Sequence, residues 1–364
     1  MLHLIGSFVG GGTERQLALL APEHCRLGVD THVGFLHGGV NLELLRGSPV
    51  TLHEIASCGN NDPLILLRLL TLIRACRPHV IQTWLTQMDV FGGLAAKICG
   101  VPFVLSERAS ALAYSGKWKD RLREWVGRRA TAIVANSHFG LNYWKTHGTG
   151  DKQYMIRNGV PLDRIRATAP ADPTFLGMFS NTRLILFAGR LVNPQKNIDL
   201  FLEAVSEVLY TAQDVALLLC GEGPLRGHIE EYINRSRFSK RIHFLGFTHD
   251  LWRWMRCADV LVSVSRFEGN PNVVLEGMAA GCPLVVSNIP EHREILDETT
   301  AQFCRVDGVK DIAAAILETL GNPLAAKARA SAAQRRVSAW SIEESARQYL
   351  QLYQMLTGRS GVVE

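Results

Sequence analysis

Two carboxylates eight positions apart, Glu268 and Glu276, lie in a segment whose pattern changes twice. Ala258 to Ser263 is an apolar run of the kind a buried parallel strand needs. After Asn272 the apolar spacing turns helical, and it stops at Gly281. Strand, polar loop and helix in that order put Glu268 on a loop at the carboxyl edge of a sheet. Glu276 then falls in the first turn or so of the next helix. Open α/β sheets bind ligands at that edge. Carboxylates accept hydrogen bonds from vicinal hydroxyls, so this pair could hold two sugar rings of one ligand. Taken alone, the pair fits equally a solvated loop Glu and a Glu favoured by a helix macrodipole.

A basic pair has the same kind of placement. In the stretch from Leu186 to Asn197 a strand ends at Gly189 and a helix starts near Asn197. Arg190 and Lys196 therefore sit on a loop at the sheet edge expected for Glu268. Arg can fork across two phosphate oxygens, and Lys supplies a point charge. Together they would offset charge growing on a departing nucleoside diphosphate; the plain alternative is two solvated surface cations. Near the start, Gly6 to Arg15 follows a first strand and opens a helix. Gly10, Gly11 and Gly12 let the backbone approach an anion, and free amides at a helix start favour phosphate. The loop is not a G-x-G-x-x-G, and no Walker lysine follows. Gly221 lies in a turn after another strand, where shaping the backbone is its expected job. Phe247 ends a further strand, placed either to stack on a base or to fill core.

Both halves of the chain must supply strands to carry these loops, and both do. Met1–Ile5, His79–Thr83, Phe103–Ser106 and Thr131–Asn136 read as strands of a first sheet. Leu184–Ala188, Val215–Cys220, Ile242–Leu245, Val260–Ser263 and Pro283–Ser287 read as strands of a second. Helical periodicity lies between them, as in Arg15–Leu27, Leu64–Cys76 and Asn197–Leu209. Such alternation predicts α/β architecture with two doubly wound parallel sheets. The small, proline-bearing run Ala167–Pro173 reads as a linker, giving domains at 1–165 and 174–338. The 364 residues suffice for two domains, and 47% hydrophobic content is that of an ordinary globular protein. Eight scattered cysteines, none paired at metal-ligand or redox spacing, fit a reducing compartment. No apolar run is long enough to span a bilayer and no signal peptide is apparent, so the expected location is cytoplasmic. A net charge of +5 permits anionic partners without demanding nucleic acid.

The wording around these residues resembles a known family. Glu268 to Glu276, with Pro271-Asn272-Val273-Val274-Leu275 and Met278 to Val285, is similar to the E-x7-E signature of retaining glycosyltransferases of family 4 with the GT-B fold. Arg190 and Lys196 match its G-R-x5-K-N, Gly11 to Arg15 its GG-x-E-R, and Cys220 to Leu225 its GxGP turn. The resemblance covers nearly the whole chain. It implies two Rossmann-like domains with an interdomain cleft, and a last helix, about 341–357, returning to the first domain. It implies transfer of a sugar from a UDP- or GDP-sugar to a hydroxyl of a glycan or lipid-linked acceptor, as in surface polysaccharide or lipopolysaccharide assembly. Glu276 would hold the ribose, Glu268 the donor sugar, and Arg190, Lys196 and the Gly10–Gly12 loop the diphosphate. Gly221, Phe247, Asn270, Asn272 and Val273 would line the donor site.

The match is looser on the acceptor side. Gln87 stands where family members often carry His, and Ser106-Glu107-Arg108 follows another family variant. Neither Gln87 nor Arg108 suits a general base near neutral pH, whereas Glu107 could serve as one or pair with Arg108. Front-face attack needs no protein nucleophile, and the leaving phosphate could take the acceptor proton. No D-x-D-like site stands beside these groups, so no cofactor and no metal are expected in the chemistry. His3 and His138 read as structural. Tyr114 to Arg129 mixes cations with two Trp; Trp118, Leu122 and Trp125 share a helical face flanked by Lys117 and Arg121. That helix would lie on an anionic surface, such as the inner face of the cytoplasmic membrane, or else turn an apolar stripe to the core. Rival readings are a non-hydrolysing nucleotide-sugar epimerase and a non-catalytic nucleotide-sugar-binding module. A nicotinamide dehydrogenase lacks its fingerprint here.

Overall fold

The structure is a computed structural model that describes residues 1–358 except 60, 61, 110–113, 115, 117 and 180. It divides into two compact units, Met1–Gly159 with the chain from Trp340 onward, and Val160–Ala339. The crossing at Gly159 lies upstream of the Ala167–Pro173 run, which belongs to the second unit.

In the first unit the strands are β1 (Leu2–Ser7), β2 (His32–His37), β3 (Thr51–Glu54), β4 (Ile81–Trp84), β5 (Phe103–Glu107), β6 (Ala132–Ala135) and β7 (Gln153–Met155). They form one parallel sheet in the order β3-β2-β1-β4-β5-β6-β7. Side chains alternate across it. Leu2, Leu4, Phe103 and Leu105 join one core with the helix Leu64–Cys76. Met1, Ile5 and Val104 join the other with the helices Gly12–Arg26 and Ile342–Thr357. Burial on both faces explains why the strands read as continuous apolar runs.

The second unit repeats the plan with β8 (Arg183–Ala188), β9 (Val215–Cys220), β10 (Ile242–Gly246), β11 (Val260–Ser263), β12 (Leu284–Ser287) and β13 (Gln302–Cys304). Its parallel order is β10-β9-β8-β11-β12-β13. Strand order therefore reverses between β1 and β4 in one sheet and between β8 and β11 in the other. Loops diverge at such switch points and leave a crevice at the carboxyl edge. The sequence reading missed β2, β3, β7 and β13. The strand β3 is an exposed edge with little apolar signal, and β7 and β13 are three residues each.

Candidate functional site

In the second unit the two loops that leave the switch point carry the predicted charges. The Gly189–Asn197 loop follows β8, and the Arg266–Asn270 loop follows β11. Their backbones are tied where the Arg266 amide donates to the Gln195 carbonyl at 2.8 Å. Asn193, which precedes a cis Pro194, accepts the Ile198 amide at 2.8 Å and so caps the next helix. This bracing brings the Lys196 ammonium to 2.5 Å from Glu268 Oε1. The Ser265 hydroxyl donates to the same oxygen at 2.7 Å. Glu268 is buried. Burial alone would push its carboxyl up, but the Lys196 ammonium and the Ser265 hydroxyl outweigh that and hold it below the usual range. Oε2 of Glu268 accepts no hydrogen bond from the described residues. Arg190 is exposed on the same loop, and its guanidinium makes no hydrogen bond or ion pair with the described residues.

Glu276 is buried in the helix Asn272–Ala280, one turn in from its start. Trp252 Nε1 donates to Glu276 Oε2 at 2.7 Å. The helix lies hard on β11, because a Cβ at Gly277 would meet Leu261 Cδ2 at 2.5 Å. Asn270 is buried at the end of the loop, while Asn272 and Val273 are half-buried in the first turn. Amides of a first turn have no intrahelical acceptor. Gly221, at φ 142°, brings its backbone against the loop after β8: a Cβ there would stand 1.9 Å from the Gly189 carbonyl oxygen. Any side chain would force the two loops apart, so the turn shapes the crevice floor. Phe247 is half-buried at the end of β10, its amide 3.4 Å from Glu222 Oε1.

One residue of this site escaped the sequence reading. His292 is fully buried, and its Nδ1 donates to the Ser287 carbonyl at 2.9 Å. Its Nε2 has no hydrogen-bond partner among the described residues. Burial holds the imidazole below its usual pKa, while the Glu268 charge pulls the other way. A neutral ring with that donor leaves Nε2 an acceptor. Nothing in Pro290-Glu291-His292-Arg293 alone signals this, since the ring's partners, Ser287 and the Glu268 charge, come from outside that segment.

The first unit corrects several expectations. The Gly10–Gly12 loop does not offer all its amides freely. Glu14 folds back to accept from the amides of Gly10 and Gly11 and from Ser7 Oγ. Glu107, read as either a base or an ion-pair partner, is fully buried and saturated. Its Oε1 accepts from Tyr114 at 2.6 Å and the Ala109 amide at 2.9 Å. Its Oε2 accepts from Arg123 and from Trp144 Nε1, both at 2.9 Å. Arg123, not Arg108, is thus its ionic partner. Arg123 also binds Asp89 at 2.7 Å, and burial pushes the Asp89 carboxyl up to about 6 against that pull. Arg108 donates to Asn158 Oδ1 at 2.9 Å and to the Tyr349 hydroxyl, with its guanidinium over Trp84. Through Tyr349 it ties the end of β5 to the last helix. Gln87 lies at the switch point, its Oε1 2.9 Å from where a Cβ at Gly6 would stand. His3 is buried in contact with His24 and Trp84, and His138 is exposed at a helix start.

The helix Trp118–Gly127 settles one alternative. Trp118 and Trp125 are 65% and 47% exposed, whereas Arg123, Val126 and Gly127 face inward. The two Trp therefore point outward, with Leu122 half-buried between them. Arg129 lies 3.9 Å above the Trp125 ring, and Lys119 lies over Trp118. Arg121 is exposed on the same helix, and Lys117 lies outside the described residues. Among the described residues, no helix is long and apolar enough to cross a membrane.

Comparison with known proteins agrees with this layout. Residues 10–164 match the family model for glycosyltransferase family 4, and residues 182–322 that for glycosyl transferases group 1. A UDP-Gal:α-D-GlcNAc-diphosphoundecaprenol α-1,3-galactosyltransferase of Escherichia coli is 26% identical over 62% of this chain and 61% of its own. A phosphatidyl-myo-inositol mannosyltransferase of Mycobacterium tuberculosis is 29% identical over 66% of this chain and 62% of its own. The chain spans less than two thirds of the length of these relatives. Among solved structures, Anabaena HepE in complex with UDP-glucose superposes with a TM-score of 0.85 at 20% identity, over 97% of this chain and 99% of that one. WaaG, a glycosyltransferase involved in lipopolysaccharide biosynthesis, gives 0.77 at 14% identity over 98% and 100%. At such identities the likeness establishes the fold, which is GT-B.

Proposed function

Because the chain belongs to the group 1 glycosyl transferases of family 4, we propose that it moves a sugar from a nucleotide-diphosphate donor to a hydroxyl of a glycan or lipid-linked acceptor, with retention at the anomeric carbon. The observation that carries this reading is the Lys196–Glu268 pair at the β8/β11 switch point, with Oε2 of Glu268 unclaimed. Lys196 and Arg190 would receive the diphosphate and offset its growing charge as the glycosidic bond breaks. Glu268 would accept hydroxyls of the donor sugar. Glu276, oriented by Trp252, would hold the ribose. These cations supply the positive charge without a metal. The saturation of Glu107 favours front-face attack, in which the leaving phosphate takes the acceptor proton.

A UDP-sugar is the first donor to try, since the E. coli relative is a UDP-Gal galactosyltransferase and HepE is seen in complex with UDP-glucose. The protein should be incubated with UDP-, GDP- and ADP-sugars while thermal shift and nucleoside diphosphate release are followed. One donor class should raise the melting temperature and release nucleotide, and the product should keep the donor's anomeric configuration by NMR. An epimerised free nucleotide sugar without acceptor would favour the epimerase instead. Silence from every donor would leave no transferase to defend.

The outward Trp118 and Trp125, each capped by a cation, support peripheral contact with an anionic membrane, where a lipid-linked acceptor resides. Co-sedimentation with anionic vesicles at low salt should exceed that with neutral vesicles. Equal binding to both would count against it.

A further inference from the structure

At the opposite edge of the first sheet from the glycine loop, three side chains converge. Among the described residues, His32, His53 and Cys76 form a group whose ligand atoms all lie within 4.8 Å of one another. His32 opens β2, His53 lies in the edge strand β3, and Cys76 ends the helix Leu64–Cys76. The parallel register pairs His32 with Thr51 and Gly34 with His53, so both imidazoles leave the same face of the sheet. The helix runs over that face, since a Cβ at Gly34 would meet Leu72 at 3.1 Å. Three elements separate in sequence therefore deliver two imidazoles and a thiol to one point.

The spacing is that of a metal site. His32 Nδ1 lies 2.9 Å from His53 Nε2, and Cys76 Sγ lies 3.8 and 3.7 Å from those two nitrogens. A tetrahedral Zn²⁺ with ordinary bond lengths sets its nitrogen and sulfur ligands roughly 3.3–3.6 Å apart. Each atom would shift by only a few tenths of an ångström. Behind the cluster, His32 Nε2 faces Asp30 Oδ2 at 3.3 Å. A carboxylate on the far nitrogen is the partner that orients metal-bound imidazoles and raises their basicity. We propose that His32, His53 and Cys76 bind a thiophilic divalent cation, Zn²⁺ foremost, with water in the fourth position. Binding converts the Cys76 thiol to a thiolate bonded to the metal and releases its proton to solvent. The ion would pin the exposed edge strand β3 and the end of the helix to β2. Its role is to hold the sheet, since all three ligands come from the framework of the first unit: two strands and the helix packed over them.

The test is a titration of the metal-stripped full chain with Co²⁺. One equivalent should produce a thiolate-to-cobalt charge-transfer band and the intense visible bands of a four-coordinate site, both removed by Zn²⁺. Cys76→Ser should lose the charge-transfer band, and His53→Ala should weaken Zn²⁺ binding at least about 100-fold. Asp30→Asn should weaken it about 10-fold. Zn²⁺ should raise the melting temperature of the native chain and not of Cys76→Ser. A native chain without the charge-transfer band overturns the proposal whether or not any variant folds. So does a band that survives in Cys76→Ser, which would place the metal on another cysteine.

Discussion

Glu107 in the first unit and Glu268 in the second are both buried acids paired with a base at a sheet edge, yet they are finished differently. Four donors close every position on Glu107, and its base Arg123 is only 2% exposed and shared with Asp89. Among the described residues, Glu268 has both of its bonds on one oxygen, and its base sits on a loop with Arg190, which pairs with none of them. A saturated carboxylate can only hold structure. A half-saturated one, kept ionised by its neighbours, still has an acceptor to give. The number of donors already satisfied, rather than burial or charge, is what makes Glu268 and not Glu107 the candidate for binding a ligand.

That contrast breaks first at Arg123. Arg123→Met leaves two buried carboxylates uncompensated and should lower stability by about 3–5 kcal/mol, read by urea unfolding, while donor binding persists in whatever remains folded. A loss below about 1 kcal/mol would mean the cluster is not closed. Lys196→Ala should cut transfer by about 10²-fold or more with the fold retained; full turnover would remove Lys196 from the diphosphate. Glu276→Ala is the gentlest probe. Losing a charge-assisted hydrogen bond of about 1.5 kcal/mol should raise the donor KM about 10-fold with kcat little changed. An unmoved KM would take Glu276 out of the nucleotide pocket.

The second unit was the more legible of the two. Its strands are dense apolar runs, and its charged residues fall between them on short loops, so strand ends predicted which side chains would share an edge. The first unit hides more. The segment His32–His37 carries a glycine and two histidines, so β2 has no clean apolar pattern. The inner face of the helix Trp118–Gly127 left two alternatives open in sequence because small residues, not large ones, make the contact. A Cβ at Gly127 would fall 2.3 Å from Trp144, and one at Gly93 would fall 2.5 Å from Val126. Close approach of this kind leaves room inside for Arg123 and turns both Trp outward. Hydrophobic periodicity does not register it. Likewise Glu14, legible as part of a motif, gave no sign that it would occupy the amides of its own loop.

The last helix carries a practical corollary. Tyr353 bonds Gln82 in β4, Tyr349 bonds Arg108 beyond β5, and Ser345 Oγ donates to the Arg157 carbonyl at 3.2 Å. Gly159 has no room for a side chain, because a Cβ would stand 2.6 Å from Ile342 Cα. An isolated version of this half could not be obtained by stopping translation after residue 159. It would have to be stitched from Met1–Gly159 and the segment from Trp340 onward, with a short bridge replacing everything between Gly159 and Trp340.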